Sequence, residues 1–108
     1  MNLSNPFPDQ VRQLYLYTYA CADCGRSDRG LELHHIYGRV SGSAFNSIPL
    51  CTFCHSKASH NDTDHLRFIK KTISFLISIK YQWRKIDYEF LELPYVLRDL
   101  KKIDLSTV

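Results

Sequence analysis

The stretch that decides the fold is "CADCGRSDRGLELHHIYGRVSGSAFNSIPLCTFC", residues 21–54, which begins and ends with a CxxC pair. These pairs hold the four cysteines of the chain, Cys21, Cys24, Cys51 and Cys54. An exported chain could use them in two disulfides, but "MNLSNPFPDQ" has neither the basic start nor the apolar run of a signal peptide. In a reducing compartment, paired CxxC units are typical of metal sites, so we predict a structural zinc ion bound by four thiolates.

The segment between the two pairs is longer than a simple zinc module requires. Residues 25–50 separate them, whereas the simplest zinc pattern has roughly 15–20 residues in between. Something is therefore inserted, and the insertion carries two adjacent histidines, His34 and His35. A redox role for CxxC is the main rival interpretation, but the flanking residues do not show the βαβ pattern that it needs.

Composition indicates an ordinary globular protein. The chain has 108 residues, 44% of them hydrophobic and 23% charged, which fits one domain over residues 1–108 and argues against disorder. The longest uncharged apolar run, "TISFLISI", is too short to span a bilayer, so a cytoplasmic protein is expected. The net charge of +3 is compatible with nucleic-acid binding but does not establish it.

Periodicity predicts an α+β fold. Residues 9–18 fit a helix, although the alternation in "LYLYTY" leaves a strand open there. "LELHHI" predicts a strand, residues 38–47 a loop, and "CHSKASH" the opening of a helix.

The second half of the chain is predicted to be helical. Asp62 or Thr63 is expected to cap an amphipathic helix that runs to about Tyr81 or Lys85. A short helix follows Pro94, and Trp83 is expected in the core.

The ordered set His34-His35, Asn46 and His55 within the CxxC pairs carries a family resemblance. "CADC … LELHHIYGR … NSIPLCTFCHSKA", residues 21–58, resembles the HNH endonucleases, also called His-Me finger or ββα-metal nucleases. The resemblance implies a small ββα-metal finger stapled by the four-cysteine zinc site, with an N-terminal helix and C-terminal helices. Its motif core would be residues 21–60, with a helical extension over residues 61–108.

By this resemblance, His35 is the general base that deprotonates the attacking water, and Asn46 ties the loop to the backbone so that the base is aimed. His34 and His55 would hold one catalytic divalent cation, which the sequence leaves as Mg²⁺, Mn²⁺ or Zn²⁺. Phosphodiester hydrolysis needs both parts, an activated water and positive charge at the scissile phosphate.

Some ligands and contacts stay open. Family members often carry a further ligand four positions after the last histidine, where this chain has Ser59 followed by His60. Either two protein ligands are completed by waters, which is the favoured alternative, or His60 contributes. Asp62 and His65 are weaker candidates. Arg39 and Lys57 are expected to contact DNA phosphates.

Two geometric checks follow from the spacing. Neighbours on a flat strand point to opposite faces, so His34 and His35 can share a site only where the strand ends or twists. Cys54 and His55 point about 100° apart at a helix start, so they should serve different metals.

The expected function is a metal-dependent DNA endonuclease whose elementary step is a single-strand nick. Its partner would be DNA, double-stranded and bound with little sequence specificity, and the chain could act as a monomer or a homodimer. The resemblance also associates such small nucleases with phages and mobile elements. The alternative is a non-catalytic zinc-stapled module that binds nucleic acid or protein, and a redox protein is the third interpretation.

Overall fold

The computed structural model describes residues 7–15, 18, 20–28 and 30–103. The elements follow in this order: α1 (Asp9–Gln13), β1 (Leu31–His35), a 3₁₀ turn (Ala44–Asn46), β2 (Ser47–Cys51), α2 (Thr52–Lys57), α3 (Asp62–Ser78), α4 (Lys85–Leu91) and α5 (Pro94–Leu100). The predicted α+β class is confirmed. No helix among the described residues has the length and apolarity needed to cross a membrane.

The sheet consists of the antiparallel pair β1 and β2. Leu31 lies opposite Cys51 at one end of the register, and His35 lies opposite Ser47 at the other. The predicted strand at "LELHHI" is confirmed to His35, and Ile36 begins the turn after it. The register places the cysteine end of β2 beside the start of β1, so the histidines come at the far end of the sheet.

Helix α3 packs its apolar stripe against the sheet and the 3₁₀ turn. Its buried residues include Phe68, Ile69, Ile73 and Leu76. The predicted cap was wrong by one residue, because the Asn61 side chain accepts the backbone N–H of Asp64. The helix also ends before the predicted limit of Tyr81 or Lys85.

Helix α1 is shorter than predicted. It ends at Gln13, and Leu14 and Tyr15 form a turn. Residues 16 and 17 of the predicted segment lie outside the described residues. Val11 of α1 and Phe7 before it are buried in the core, so the segment still packs on the body of the protein.

Two buried carboxylates connect the C-terminal helices to the inserted loop. Asp87 of α4 is fully buried and accepts hydrogen bonds from Ser43 Oγ at 2.6 Å and Tyr81 OH at 2.6 Å. Asp99 of α5, also fully buried, accepts one from Tyr37 OH at 2.8 Å. A buried carboxylate is tolerated only with such partners, so these helices pack as part of one body with the loop.

The prediction for Trp83 was wrong. It was assigned to the core from an assumed continuation of α3, but α3 ends at Ser78 and Trp83 lies on the connection to α4. Its side chain is 48% exposed.

Candidate metal centre and histidine cleft

The four cysteines converge at one point. Their sulfur atoms all lie within 4.8 Å of one another, and the Cys24 and Cys51 sulfurs are 3.8 Å apart. Thiolates on this spacing are positioned to hold a single metal ion, as the paired CxxC units predicted.

Backbone groups around the cluster favour the thiolate form. The N–H groups of Asp23 and Cys24 donate to Cys21 Sγ at 3.4 and 3.5 Å. Burial opposes ionisation of Cys21, but hydrogen bonds from the Cys24, Cys51 and Asp23 backbones and the Cys54 side chain lower its pKa to about 6. Burial and the neighbouring thiols raise the pKa of Cys54 to about 12. Cys54 N–H donates to Cys51 Sγ at 3.4 Å, so Cys51 also caps α2.

The cluster joins several elements of the fold. Ala22 N–H donates to the Pro49 carbonyl of β2 at 3.0 Å. Arg67 of α3 forms an ion pair with Asp23, and Lys71 donates to the Ala22 carbonyl at 3.0 Å. A metal bound here would therefore stabilise residues 21–24, β2, α2 and α3 together.

The histidines lie in an open cleft that is separate from the cysteine cluster. A cleft of about 950 Å³ runs along β1 and is lined by His34, His35, His55 and His60 among other residues. Arg39 and Arg12 also line it, and both are exposed. The structure thus brings the predicted pair and His55 to one cavity, together with His60.

His34 is the most buried of the four. It is 6% exposed, and its Nε2 has no hydrogen-bond partner among the described residues. Its ring centroid lies 5.1 Å from that of His55 and 5.4 Å from that of His60. Burial, and after it the neighbouring His55 and His60, lower the pKa of His34 to about 4, so the ring is neutral at pH 7.

The imidazoles of His55 and His60 are each held by a hydrogen bond at Nδ1. Nδ1 of His60 is 3.1 Å from the Ile36 carbonyl oxygen, and Nδ1 of His55 is 2.8 Å from Glu32 Oε1. A carbonyl oxygen only accepts, so the His60 hydrogen lies on Nδ1, and an ionised Glu32 selects the same tautomer for His55. In the neutral rings, each Nε2 then carries a lone pair.

His35 has a distinct environment. Its ring is stacked on Phe7, with centroids 3.8 Å apart and planes 10° apart, whereas His34 faces Phe68 of α3. The two histidines thus contact opposite sides of the sheet, as strand alternation predicts. Both still line the cleft because β1 ends at His35, and Gly38, with φ +79°, belongs to the turn that follows.

Asn46 is fully buried and uses both ends of its amide. Its Oδ1 accepts the Tyr37 N–H at 2.8 Å, and its Nδ2 donates to the carbonyls of Gly38 and Ser41 at 3.0 and 2.8 Å. These are the side-chain-to-backbone hydrogen bonds expected of a residue that ties the loop. Its contribution to catalysis stays a prediction.

The structure separates Lys57 from the cleft. Its ammonium lies 4.9 Å from the Phe53 ring centre, and it lines a smaller cavity beside Cys54 and Arg67. Sequence reasoning also missed Glu32, Phe7 and Arg12. Strand alternation places Glu32 on the face of His34 and could have found it, whereas no local pattern points to the other two.

The two sites differ in how tightly their ligand atoms gather. Among the described residues, the thiols are the one group of three or more metal-ligand atoms that all lie within 4.8 Å of one another. The imidazole nitrogens are spread more widely.

No protein-family model, curated protein or solved structure matches the chain, so conclusions about its function depend on its own residues.

Proposed function

We propose that this chain is a metal-dependent DNA endonuclease of the HNH type, whose elementary step is a single-strand nick. The observation that carries the proposal is the unpartnered, buried Nε2 of His34, whose ring neighbours those of His55 and His60 in the same cleft as His35. A buried polar atom without a partner is costly unless a ligand satisfies it, and a neutral imidazole nitrogen is a good ligand for divalent metals.

The four-cysteine cluster would bind zinc with a structural role. Four thiolates complete a tetrahedral zinc site and leave no open position for a substrate. The N–H···S hydrogen bonds to Cys21 and Cys51 stabilise the charge that such a site requires. In this role zinc would hold the ββα finger in shape and take no part in the reaction.

A catalytic cation would be held by His34 and His55, with waters completing its coordination. The ring of His60 lies 5.4 Å from that of His34, but the nitrogens of the three histidines do not all lie within 4.8 Å of one another, which favours the alternative with two protein ligands. Glu32 and the Ile36 carbonyl orient His55 and His60 through their Nδ1 atoms, an arrangement common around metal-binding histidines. The bound Mg²⁺, Mn²⁺ or Zn²⁺ would supply positive charge for the leaving oxygen.

His35 would act as the general base on water. The Phe7 ring is stacked on its imidazole and fixes the plane of the ring at the cleft wall. The Asn46 amide holds the turn that follows β1 and thereby the end of the strand. Arg39 and Arg12, on the walls of the same cleft, are suited to bind phosphate groups of the DNA strand.

The test is a nicking assay on supercoiled plasmid with zinc-loaded protein, with and without added Mg²⁺ or Mn²⁺. Wild type should convert the plasmid to open circles only with the added cation. His35→Ala should lower the rate at least about 100-fold, since a positioned base contributes about 10²–10⁴-fold. Glu92→Gln is the control, because Glu92 is exposed and does not line the cleft.

Cleavage by His35→Ala at the wild-type rate would remove the general-base role. A wild-type protein that binds DNA but never nicks it, whichever divalent metal is added, would leave the alternative, a non-catalytic zinc-stapled binding module.

A further inference from the structure

The connection between α3 and α4 exposes a pair of aromatic rings. Trp83 is 48% exposed and Tyr88, on the first turns of α4, is 54% exposed. Their ring centroids lie 5.2 Å apart, with an angle of 44° between the planes. We call these two residues the aromatic pair.

The aromatic pair packs on a buried ring, Phe45. Phe45, which is 2% exposed, lies 4.8 Å from Trp83 between ring centroids and directly precedes Asn46 in the chain. Phe45 also contacts Tyr81 at 5.8 Å. A ring supported in this way loses little conformational freedom when a ligand stacks on it.

Positive charge surrounds the pair. The segment "KYQWRK", residues 80–85, carries Lys80, Arg84 and Lys85, all exposed, and no acidic residue. Asp87 is the next acid, but it is fully buried and hydrogen-bonded to Ser43 and Tyr81. The exposed Glu89 lies about 100° around α4 from Tyr88, on a different side of the helix.

Helix α1 connects the neighbourhood of the aromatic pair with the histidine cleft. Arg84 hydrogen-bonds Gln10 of α1, and Arg12 of the same helix lines the cleft. Helix α1 therefore contacts the neighbourhood of the aromatic pair through Gln10 and the cleft through Arg12.

We propose that the aromatic pair stacks on unpaired bases of the DNA substrate, so that the nuclease acts on single-stranded or branched DNA in preference to intact duplex. This inference rests on the proposed function for the substrate but adds a binding site outside the cleft. Bases inside a duplex are stacked on each other, whereas unpaired bases offer their faces to aromatic side chains flanked by cations.

Trp83 is the only tryptophan of the chain, so its fluorescence reports on the site directly. The experiment titrates His35→Ala protein, without added divalent metal, with an oligothymidine strand and with a duplex of equal length. Tryptophan fluorescence should be quenched by the single strand, which should bind at least about 10-fold more tightly than the duplex.

Substitution of the pair should weaken single-strand binding selectively. Tyr88→Leu should reduce affinity for the single strand about 5- to 50-fold, measured by anisotropy of a labelled oligonucleotide, with little change for duplex. Trp83→Leu should do the same, and Tyr88→Leu keeps the test valid if loss of the Phe45 contact unfolds the Trp83 variant. Leu97→Ala, a 41% exposed apolar residue on α5, is the control and should bind as the unsubstituted protein does.

Three results would overturn the inference: unchanged tryptophan emission on adding the single strand, equal affinity for duplex and single strand, or unchanged binding by Tyr88→Leu. Self-association that Tyr88→Leu abolishes while DNA binding is unchanged would instead identify the pair as a contact between two copies. The plasmid assay is independent of these measurements, so failure of the base-stacking site and failure of the nuclease proposal give different results.

Discussion

The four-thiol cluster lies at one end of the two-stranded sheet, whereas the histidine cleft runs along β1, and the two sites gather their side chains differently. The thiols form a closed group whose sulfur atoms all lie within 4.8 Å of one another. The imidazoles line an open cleft of about 950 Å³ and leave a buried nitrogen, His34 Nε2, without a partner. Closed ligand sets suit metals that stabilise a fold, and open sets suit metals that meet a substrate. We therefore expect changes at the cluster to alter stability and changes at the cleft to alter chemistry.

The largest effect is expected at the cluster. Cys24→Ser should lower the zinc content below one ion per chain and reduce the free energy of unfolding by several kcal/mol, because structural zinc contributes roughly 10–16 kcal/mol of apparent binding free energy. Metal analysis and thermal unfolding measure this. Ser27→Ala, in the same exposed loop, is the control. An unchanged metal stoichiometry in Cys24→Ser would contradict the four-thiolate site.

Acid should destabilise the cleft through His34. Burial and the neighbouring His55 and His60 lower its pKa in the folded chain to about 4, against 6.5 for the ordinary side chain. Between these values the unfolded chain binds more protons, so stability decreases as the pH falls from about 6.5 to about 4. A loss of about 2–3 kcal/mol is expected from this group.

Urea unfolding of wild type and His34→Leu at pH 7 and pH 4.5 checks this. Zinc loss in acid is common to both proteins, so the difference between them isolates the imidazole. An equal pH effect in the two proteins would show that His34 is not the group responsible.

The hydrogen bond between His55 Nδ1 and Glu32 offers a smaller change confined to the cleft. Glu32→Gln removes the carboxylate that orients the His55 ring, and such outer partners contribute about 10- to 100-fold to metal affinity. Calorimetric titration of Mn²⁺ into zinc-loaded protein should show that decrease, while zinc content stays the same. Glu92→Gln, which is exposed and distant in sequence, should titrate as wild type does. Equal Mn²⁺ affinity in Glu32→Gln would argue that His55 is not a ligand.

The smallest effect is expected at the stack on His35. Phe7→Leu keeps an apolar side chain but removes the ring that fixes the imidazole plane, and we expect the nicking rate at saturating DNA to fall about 3- to 10-fold. Phe7→Trp restores an aromatic face and should recover part of the rate. A rate for Phe7→Leu equal to that of wild type would show that the stack has only a packing role.

Local patterns were sufficient to predict the cysteine cluster, β1 and most of α3. The CxxC spacing, the alternation in "LELHHI" and the helical recurrence from Leu66 to Ile77 each depend on neighbours in sequence. Of the ordered set, His34, His35 and His55 line one cleft, and Asn46 is buried in the loop that follows β1. Their chemical roles are still predictions.

The features that sequence reasoning missed depend on contacts between distant segments. Phe7 reaches His35 only through the packing of the N-terminal segment, and Trp83 is exposed because α3 ends early. Lys57 was predicted to contact DNA as a local positive charge. It lines a cavity shared with Arg67 and not the histidine cleft, and its contact with DNA stays a prediction. Such outcomes are decided by tertiary packing, which local periodicity does not encode.

The buried carboxylates Asp87 and Asp99 limit how short a fragment of the chain can be and still keep the fold. Ser43 and Tyr37 each donate a hydrogen bond to one of them from the loop that carries Asn46. A shorter peptide that stops after α3 would leave the Ser43 and Tyr37 hydroxyls without their acceptors and would expose Phe45. In engineering terms, the smallest portable unit of this fold includes its last two helices.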